Sequence, residues 1–236
     1  MNIKLLKTSK VLLFASLVGM VAMTTGCDKD DKDTPKPPVV AGKVSLLNAS
    51  FASDSLNIFV DTKKANNKLL GYGDSLNYVD VITGDRAFEL KAKDGNSIVK
   101  KTFKVEKDKN YTLLAANTAD GETFELIQVS DDLTAPATDK AKIRLIHLSP
   151  DAAELNLTSG GTKLAENVAF KSVSDYKEVD ATKTSFAIVD AEGNNTVLNV
   201  NDLELVKGKI YTIWVVGLDD TDDDKEGLKA HVFINK

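Results

Sequence analysis

IRLIHLSPDAAELNL, residues 143–157, decides the fold because the chain contains this stretch twice. The earlier version is VSLLNASFASDSLNI, residues 44–58, and it aligns with the later one without a gap. The likeness extends to a Tyr-Thr pair and the apolar run behind it, LLAA at 113–116 and IWVV at 213–216. A repeat of about a hundred residues indicates two tandem domains, since solenoid units have roughly 20–50 residues.

The composition supports two hydrophobic cores of ordinary size. The chain has 236 residues, of which 42% are hydrophobic, and a length of this kind favours two domains. Its net charge of −5 argues against nucleic acid as a partner, because such binding depends on basic side chains at phosphates. The single cysteine excludes an internal disulfide, so each domain must be stabilised by its own core.

Both copies consist of short runs of β-branched and aromatic residues between clusters of Gly, Asn and Asp. Seven or so such runs at about ten-residue spacing predict a β-sandwich. Neither copy contains a long stretch with an apolar period of 3.6 residues, so little helix is expected. We therefore predict an all-β chain with two tandem immunoglobulin-like antiparallel β-sandwich domains, at 43–133 and 141–236, joined by a linker at 134–140. The predicted strands are 43–49, 55–61, 75–82, 86–92, 97–105, 110–117 and 122–129 in copy 1, and 141–149, 153–158, 172–180, 185–190, 195–206, 209–218 and 227–235 in copy 2.

Residues 1–26 have the layout of a lipoprotein signal peptide. Three lysines precede the apolar run Val11–Met23, which as a helix of about 20 Å is too short for the roughly 30 Å of a bilayer core. The run is followed by Thr24-Thr25-Gly26-Cys27, which resembles the lipobox of bacterial lipoproteins. That resemblance implies cleavage before Cys27 and lipidation of its thiol; the alternative is a free thiol beyond an ordinary cleavage site.

Residues 27–42 are predicted to be a flexible tether, because dense charge and three prolines leave no apolar surface to bury. Within it, Lys29, Asp30 and Asp31 resemble the signal that sends lipoproteins of the Bacteroidetes to the cell surface. The resemblance implies an outer-membrane protein, attached through its lipid and exposed on the cell surface. The alternatives are an ordinary charged linker and a position on the periplasmic face.

The stretch IRLIHLSPDA, residues 143–152, resembles the opening of the domain-of-unknown-function 4397 family. The resemblance implies a β-sandwich in secreted or lipid-anchored bacterial proteins, with no established activity. Ala153 stands where the family prefers proline, and copy 1 has Asn48 in place of the histidine. The residues that carry the motif, here called the signature residues, are expected to be structural: Arg144, His147, Ser149, Pro150, Asp151 and Ala152.

Three of these side chains, His147, Ser149 and Asp151, also suggest a catalytic triad, because a strand would place them on one face. Same-face neighbours along a strand are nearly 7 Å apart, however, whereas a nucleophile and its base need about 3.2 Å. We therefore predict a structural turn and no catalytic residue, with a surface hydrolase or carbohydrate-processing enzyme as the alternative. Burial of His147 with both ring nitrogens bonded to backbone would exclude that alternative.

Tyr111 and Tyr211 begin the Tyr-Thr pairs, and each follows a Lys-x-Lys turn. This layout predicts a tyrosine whose ring packs under a corner of the sandwich while its hydroxyl bonds to the backbone. Both tyrosines are therefore expected to be structural.

The acidic run at 219–226 contains the densest negative charge of the chain. Asp220, Asp222 and Asp224 have the alternate spacing of a calcium loop, but Lys225 occupies the place of the required turn glycine. We predict a solvated hairpin tip and no metal site, with these three aspartates as the only weak candidates.

Taken together, these patterns predict an exported, lipid-anchored envelope protein with a non-enzymatic binding, adhesion or scaffold role. The expected partners are the membrane, through the lipid, and a glycan or another envelope protein; neither a cofactor nor nucleic acid is expected. Because the linker carries few apolar residues, each copy is also expected to fold independently. The sequence does not predict the oligomeric state or the orientation of the two domains.

Overall fold

The computed structural model describes residues 40–51, 55–118, 123–192, 195–221 and 226–236. The predicted signal peptide and all but the last three residues of the predicted tether lie outside the described residues. Both repeats lie in one compact unit of the chain. In the described part of the chain, no helix has the length and hydrophobicity needed to span a membrane.

The described residues form sixteen β-strands, eight in each repeat. In copy 1 they are β1 (Ala41–Asn48), β2 (Leu56–Val60), β3 (Lys63–Lys64), β4 (Ser75–Ile82), β5 (Gly84–Ala92), β6 (Ser97–Val105), β7 (Asn110–Asn117) and β8 (Phe124–Asp131). In copy 2 they are β9 (Lys140–His147), β10 (Leu155–Ser159), β11 (Thr162–Val168), β12 (Lys177–Asp180), β13 (Lys183–Asp190), β14 (Thr196–Glu204), β15 (Ile210–Val216) and β16 (Lys229–Ile234).

Each copy is a sandwich of two four-stranded sheets. The sheets are β4-β1-β7-β8 and β3-β2-β5-β6 in copy 1, and β12-β9-β15-β16 and β11-β10-β13-β14 in copy 2. Neighbouring strands are antiparallel except for β1 with β7 and β9 with β15, which run parallel. The prediction of an all-β chain with two tandem sandwiches is confirmed.

Each sandwich encloses its own core, built by the alternation of inward apolar and outward polar side chains along its strands. Equivalent phenylalanines, Phe88 and Phe186, are among the largest fully buried side chains in the two cores. Two strands were absent from the predicted set, β3 and β11. Both lie opposite β2 or β10 in a hairpin, and β3 is only two residues long, too short to leave a periodic pattern.

A third core, here called the shared core, joins the two copies. It contains Leu47, Ala49, Leu114, Ala116, Ile146, Leu148, Trp214, Val216 and Phe233. These residues come from β1 and β7 of copy 1 and from β9, β15 and β16 of copy 2, together with the residues that follow β1 and β9. One sheet of each copy is therefore buried on both faces, which explains why β7 and β15 are apolar runs without alternation.

The two copies contribute the same face to the shared core. Leu47 is the repeat equivalent of Ile146, and Leu114 is the equivalent of Trp214; all four are buried there. The copy 2 member of a pair is often the larger one, as with Trp214, which is the single tryptophan of the chain. Independent folding of each copy stays a prediction, and an isolated copy 2 would expose this apolar face.

Candidate functional site

The turn after β9 holds the signature histidine in place with backbone bonds. His147 is fully buried, and its Nε2 donates to the carbonyl of Ala153 at 3.0 Å. Its Nδ1 accepts from the backbone amide of Ser149 at 3.3 Å. The imidazole is therefore neutral with its proton on Nε2, and burial lowers the pKa of His147 below its ordinary value. Both ring nitrogens have structural partners, so neither serves as a base for Ser149.

Two further signature side chains, Ser149 and Asp151, close the same turn. The buried hydroxyl of Ser149 donates to Asp151 Oδ1 at 3.0 Å. The Asp151 carboxylate also accepts from the backbone amides of Asp219 and Asp220, at 3.0 to 3.2 Å. Burial alone would raise the pKa of Asp151, but these hydrogen bonds outweigh it and hold that pKa below its ordinary value. Asp151 thus connects the signature turn to the start of the acidic loop.

Copy 1 makes the same kind of turn with an amide side chain. Asn48 Oδ1 accepts from the backbone amide of Ser50 at 3.2 Å, as Nδ1 of His147 does from Ser149. Asn48 Nδ2 donates to the carbonyls of Leu70 and Gly71, at 3.2 and 3.0 Å. This position requires a hydrogen-bond acceptor for the backbone amide two residues later and a donor for a backbone carbonyl. Histidine and asparagine side chains both supply them.

This equivalence predicts how histidine substitutions affect stability. His147→Asn should change the free energy of unfolding by less than about 1 kcal/mol, because asparagine retains an acceptor and a donor. His147→Ala should cost about 1–3 kcal/mol for each buried backbone group left without its partner. Urea unfolding of both variants measures the difference. Equal losses in the two variants would mean that the hydrogen bonds do not determine the residue at this position.

Arg144, the first signature residue, lies in a buried polar network between the copies. Its Nη2 donates to Asp131 Oδ1 of copy 1 at 2.6 Å, and the arginine and aspartate side chains are 2% and 0% exposed. Its Nε donates to Thr212 Oγ1 at 2.9 Å. The guanidinium also lies over the ring of Tyr176, 4.5 Å from its centroid, an attractive arrangement for a desolvated cation. Arg144 is thus the residue through which the signature reaches copy 1.

The other oxygen of Asp131 completes the network on the copy 1 side. Asp131 Oδ2 accepts from Tyr78 Oη at 2.6 Å and from Thr112 Oγ1 at 2.7 Å. Asn235 of copy 2 donates to Tyr78 Oη at 3.0 Å and accepts from Thr212 Oγ1 at 2.6 Å. Burial, together with the nearby charge of Asp131, raises the pKa of Tyr78 to about 12, so the phenol stays protonated as a donor.

The network uses equivalent positions of the repeat with different side chains. Thr112 corresponds to Thr212 and Tyr78 to Tyr176, while Arg144 stands where copy 1 has Ser45. The Tyr-Thr pattern alone identified the tyrosine of each pair as structural but gave no role to the threonine. The signal that identifies the threonines is their strand position: they are adjacent to an inward tyrosine and so face the opposite way. Because this sheet is buried on both faces, the threonine side chains face the other copy.

The two predicted structural tyrosines lie inside their sandwiches. Tyr211 is 2% exposed, and its hydroxyl accepts from the backbone amide of Val206 at 2.9 Å. Tyr111 is 7% exposed and belongs to the core of copy 1.

The other predicted site residues have no described site around them. Cys27, Lys29, Asp30 and Asp31 lie outside the described residues, as do Asp222 and Asp224. Asp220 contributes its backbone amide to Asp151. Among the residues that the structure describes, no group of three or more His, Cys, Asp or Glu side chains could hold a metal ion.

An open cleft of about 970 Å³ lies beside the buried polar network. Tyr78, Asp131 and Asn235 of the network line it, so copy 1 and copy 2 both contribute to its wall. The remaining charged lining consists of three lysines and three carboxylates: Lys43, Lys109, Lys236, Glu106, Asp108 and Asp132. These six charges balance, and the Asp131 carboxylate is paired with Arg144, so the wall of the cleft carries little net charge.

Two solved structures resemble parts of this chain. The C-terminal domain of AlgF from P. aeruginosa is 22% identical over 41% of this chain and 98% of its own, with a TM-score of 0.32. CBMbc, a family CBM26 protein from Eubacterium rectale Amy13K solved with maltoheptaose, is 14% identical over 78% of this chain and 99% of its own, with a TM-score of 0.26. No curated protein matches the chain.

A family model covers nearly all of the described residues. It is the model of DUF4397, a domain of unknown function, and it matches residues 42–158 and 149–232. The second match begins inside the signature turn, at Ser149, and the first runs through the linker into copy 2. The chain therefore belongs to the DUF4397 family.

Proposed function

We propose that this chain is an exported, lipid-anchored protein of the cell envelope with a non-enzymatic binding, adhesion or scaffold role. The observation that carries the proposal is the signature turn, in which both nitrogens of His147 bond to the backbone. The Ser149 hydroxyl donates to Asp151, which also binds two backbone amides. Hydrolysis by these three side chains would require His147 to leave both partners and reach the serine.

A glycan is the ligand class that the cleft beside the network favours. Its three lysines balance three carboxylates, and the fourth carboxylate, Asp131, is paired with Arg144, so the small net charge gives no advantage to phosphate or polyanions. The cleft presents hydrogen-bond donors close to hydrogen-bond acceptors, and this suits the hydroxyl groups of a neutral sugar, because each hydroxyl both donates and accepts. A cleft at the junction of two domains is also a common position for a ligand site.

A glycan array probed with soluble protein that lacks residues 1–27, followed by titration of any bound sugar, tests this proposal. Lys109→Ala in the cleft should weaken binding about tenfold or more, a change of about 1.4 kcal/mol. Lys163→Ala is the control, because that lysine lies on β11 of copy 2, away from this cleft. Unchanged affinity in Lys109→Ala would place the ligand elsewhere. An empty array, with a specific envelope protein recovered by pull-down, would favour the scaffold role.

The membrane attachment is proposed from Cys27, the single cysteine, which directly follows the short apolar core and the residues resembling a lipobox. One acyl chain binds a membrane only marginally, whereas two or more, at about 0.8 kcal/mol per buried methylene, anchor a protein stably. Cys27→Ser should therefore move the protein out of the membrane fraction or leave it unprocessed. Unchanged membrane attachment of the serine variant would contradict lipidation at this residue.

The surface position is proposed from Lys29, Asp30 and Asp31. Replacing all three with alanine should keep the protein in the membrane fraction but protect it from protease added to intact cells. The wild-type protein, in contrast, should be digested in the same assay. Digestion of the alanine variant, or protection of the wild type, would indicate another signal or a position on the periplasmic side.

A further inference from the structure

His231 of β16 lies where the two copies meet. It is directly opposite Trp214 in the β15–β16 ladder, and the two ring centroids are 4.9 Å apart. The Cε1–Nε2 edge of its ring rests on the backbone of Gly73 in copy 1. A Cβ atom at Gly73 would come within 2.6 Å of His231 Cε1 and 2.9 Å of Nε2. His231 is thus packed between a tryptophan of its own copy and the main chain of the other.

Among the residues that the structure describes, the buried edge of this ring meets no hydrogen-bond partner. His231 Nε2 is buried without one, and so is Nε1 of the neighbouring Trp214, whose side chain belongs to the shared core. A neutral imidazole tolerates this arrangement, since one ring nitrogen needs no acceptor. A protonated imidazole does not, because both nitrogens then carry protons and the positive charge lies against the backbone of copy 1.

The charged groups around His231 oppose its protonation on balance. Lys229, two residues earlier on the same strand, repels a second positive charge, whereas Asp74 of copy 1 attracts it. Tyr72 of copy 1 lies beside this cluster, with the Lys229 ammonium 5.6 Å from its ring centroid. Burial and then the charge of Glu226 raise the pKa of Tyr72 to about 12, so it remains neutral. Burial, more than the repulsion from Lys229, lowers the pKa of His231 below its ordinary value of 6.5.

We propose that His231 is a pH-sensitive element of the contact between the two copies, which loosens when this imidazole gains a proton. Below pH 6.5, the unfolded chain binds a proton at this residue more readily than the folded one. The stabilising contribution of neutral His231 is therefore complete above that pH and is lost as the pH falls toward the folded value. The contact is firm in neutral surroundings and weaker in acidic ones.

The repeat supplies matched variants for the test. The chain has two histidines, and the other copy carries a residue that does not titrate at each equivalent position. Ile127 of copy 1 corresponds to His231, and Asn48 corresponds to His147. His231→Ile therefore removes the proposed element, and His147→Asn removes the other buried histidine. His231→Gln is the second variant, to be used if the isoleucine variant does not fold.

The single tryptophan reports on the contact directly, because Trp214 stacks on His231. The mature chain should show a reversible change of tryptophan emission between about pH 8 and about pH 5, with its midpoint below 6.5. The same acidification should lower the melting temperature of the wild type more than that of His231→Ile, by on the order of 2–4 °C. The emission change should persist in His147→Asn and disappear in His231→Ile and His231→Gln. Persistence in both His231 variants, or its loss in His147→Asn, would overturn the proposal.

Discussion

Arg144→Ser, which introduces the residue that copy 1 carries at this position, should lower the free energy of unfolding by about 3–5 kcal/mol. The substitution leaves the Asp131 carboxylate, whose side chain is fully buried, without its positive partner. The hydroxyl donors Tyr78 and Thr112 remain, but they carry no charge to compensate it. Urea unfolding followed by circular dichroism measures the loss.

A double-mutant cycle separates the ion pair from the other effects of the substitution. Asp131→Asn introduces the residue that copy 2 has at the equivalent position, Asn235, and leaves Arg144 unpaired. The double variant Asp131→Asn with Arg144→Ser removes both charges, so its loss should be smaller than the sum of the single losses by about 1–3 kcal/mol. Lys43→Ala is the control, because the Lys43–Asp80 pair is exposed and should contribute at most about 1 kcal/mol. Additive losses would contradict a direct pairing of the two charges.

Trp214→Ala should cost about 3–5 kcal/mol, the range for removing a large buried aromatic side chain. Trp214 is 1% exposed and lies at the centre of the contact between the copies, so alanine leaves a cavity there. Trp214→Leu, the residue of copy 1 at this position, should lose less because part of the volume is refilled. Val232→Ala on the neighbouring strand is the control, since Val232 is 37% exposed and should change stability by about 0.5 kcal/mol or less. A loss below about 1 kcal/mol in Trp214→Ala would show that the shared core contributes little.

Much of the fold could be predicted because it depends on patterns within each copy. The strands of the sandwiches have alternating apolar residues and are separated by Gly or Asp turns. Because the chain contains an internal repeat, these patterns occur in both copies. The hairpin strands β3 and β11 could not be found in this way: β3 has two residues, and β11 presents mostly exposed side chains. An edge strand with little burial carries no apolar period.

The contact between the copies was harder to predict, because it depends on which faces meet. Arg144 and Asp131 are thirteen residues apart in sequence, but nothing in the sequence indicates that these two side chains, on β9 and at the end of β8, meet across two domains. The unbroken apolar runs of β7 and β15 partly indicate this contact. A strand that faces water on one side should alternate apolar and polar residues, so an unbroken apolar run indicates burial on both faces. The polar linker favoured the expectation that each copy folds independently.

The signature turn was predictable in kind but not in detail. The substitution of Asn48 for His147 between the copies indicated a structural role, because an amide and an imidazole share hydrogen bonding and not catalysis. The partners of His147 depend on the path of the backbone after Pro150, which spacing alone does not determine. The role of Arg144 likewise required the position of copy 1.

We infer that the shared core and the buried polar network make the two copies a single cooperative unit. Equilibrium unfolding in urea of protein that lacks residues 1–27, followed in parallel by Trp214 emission and far-ultraviolet circular dichroism, tests this claim, because the first signal reports on the contact and the second on all strands. We predict one transition with coincident midpoints, and Arg144→Ser should move both midpoints together. Two separate transitions, or a tryptophan transition that precedes the loss of strand structure, would contradict the claim.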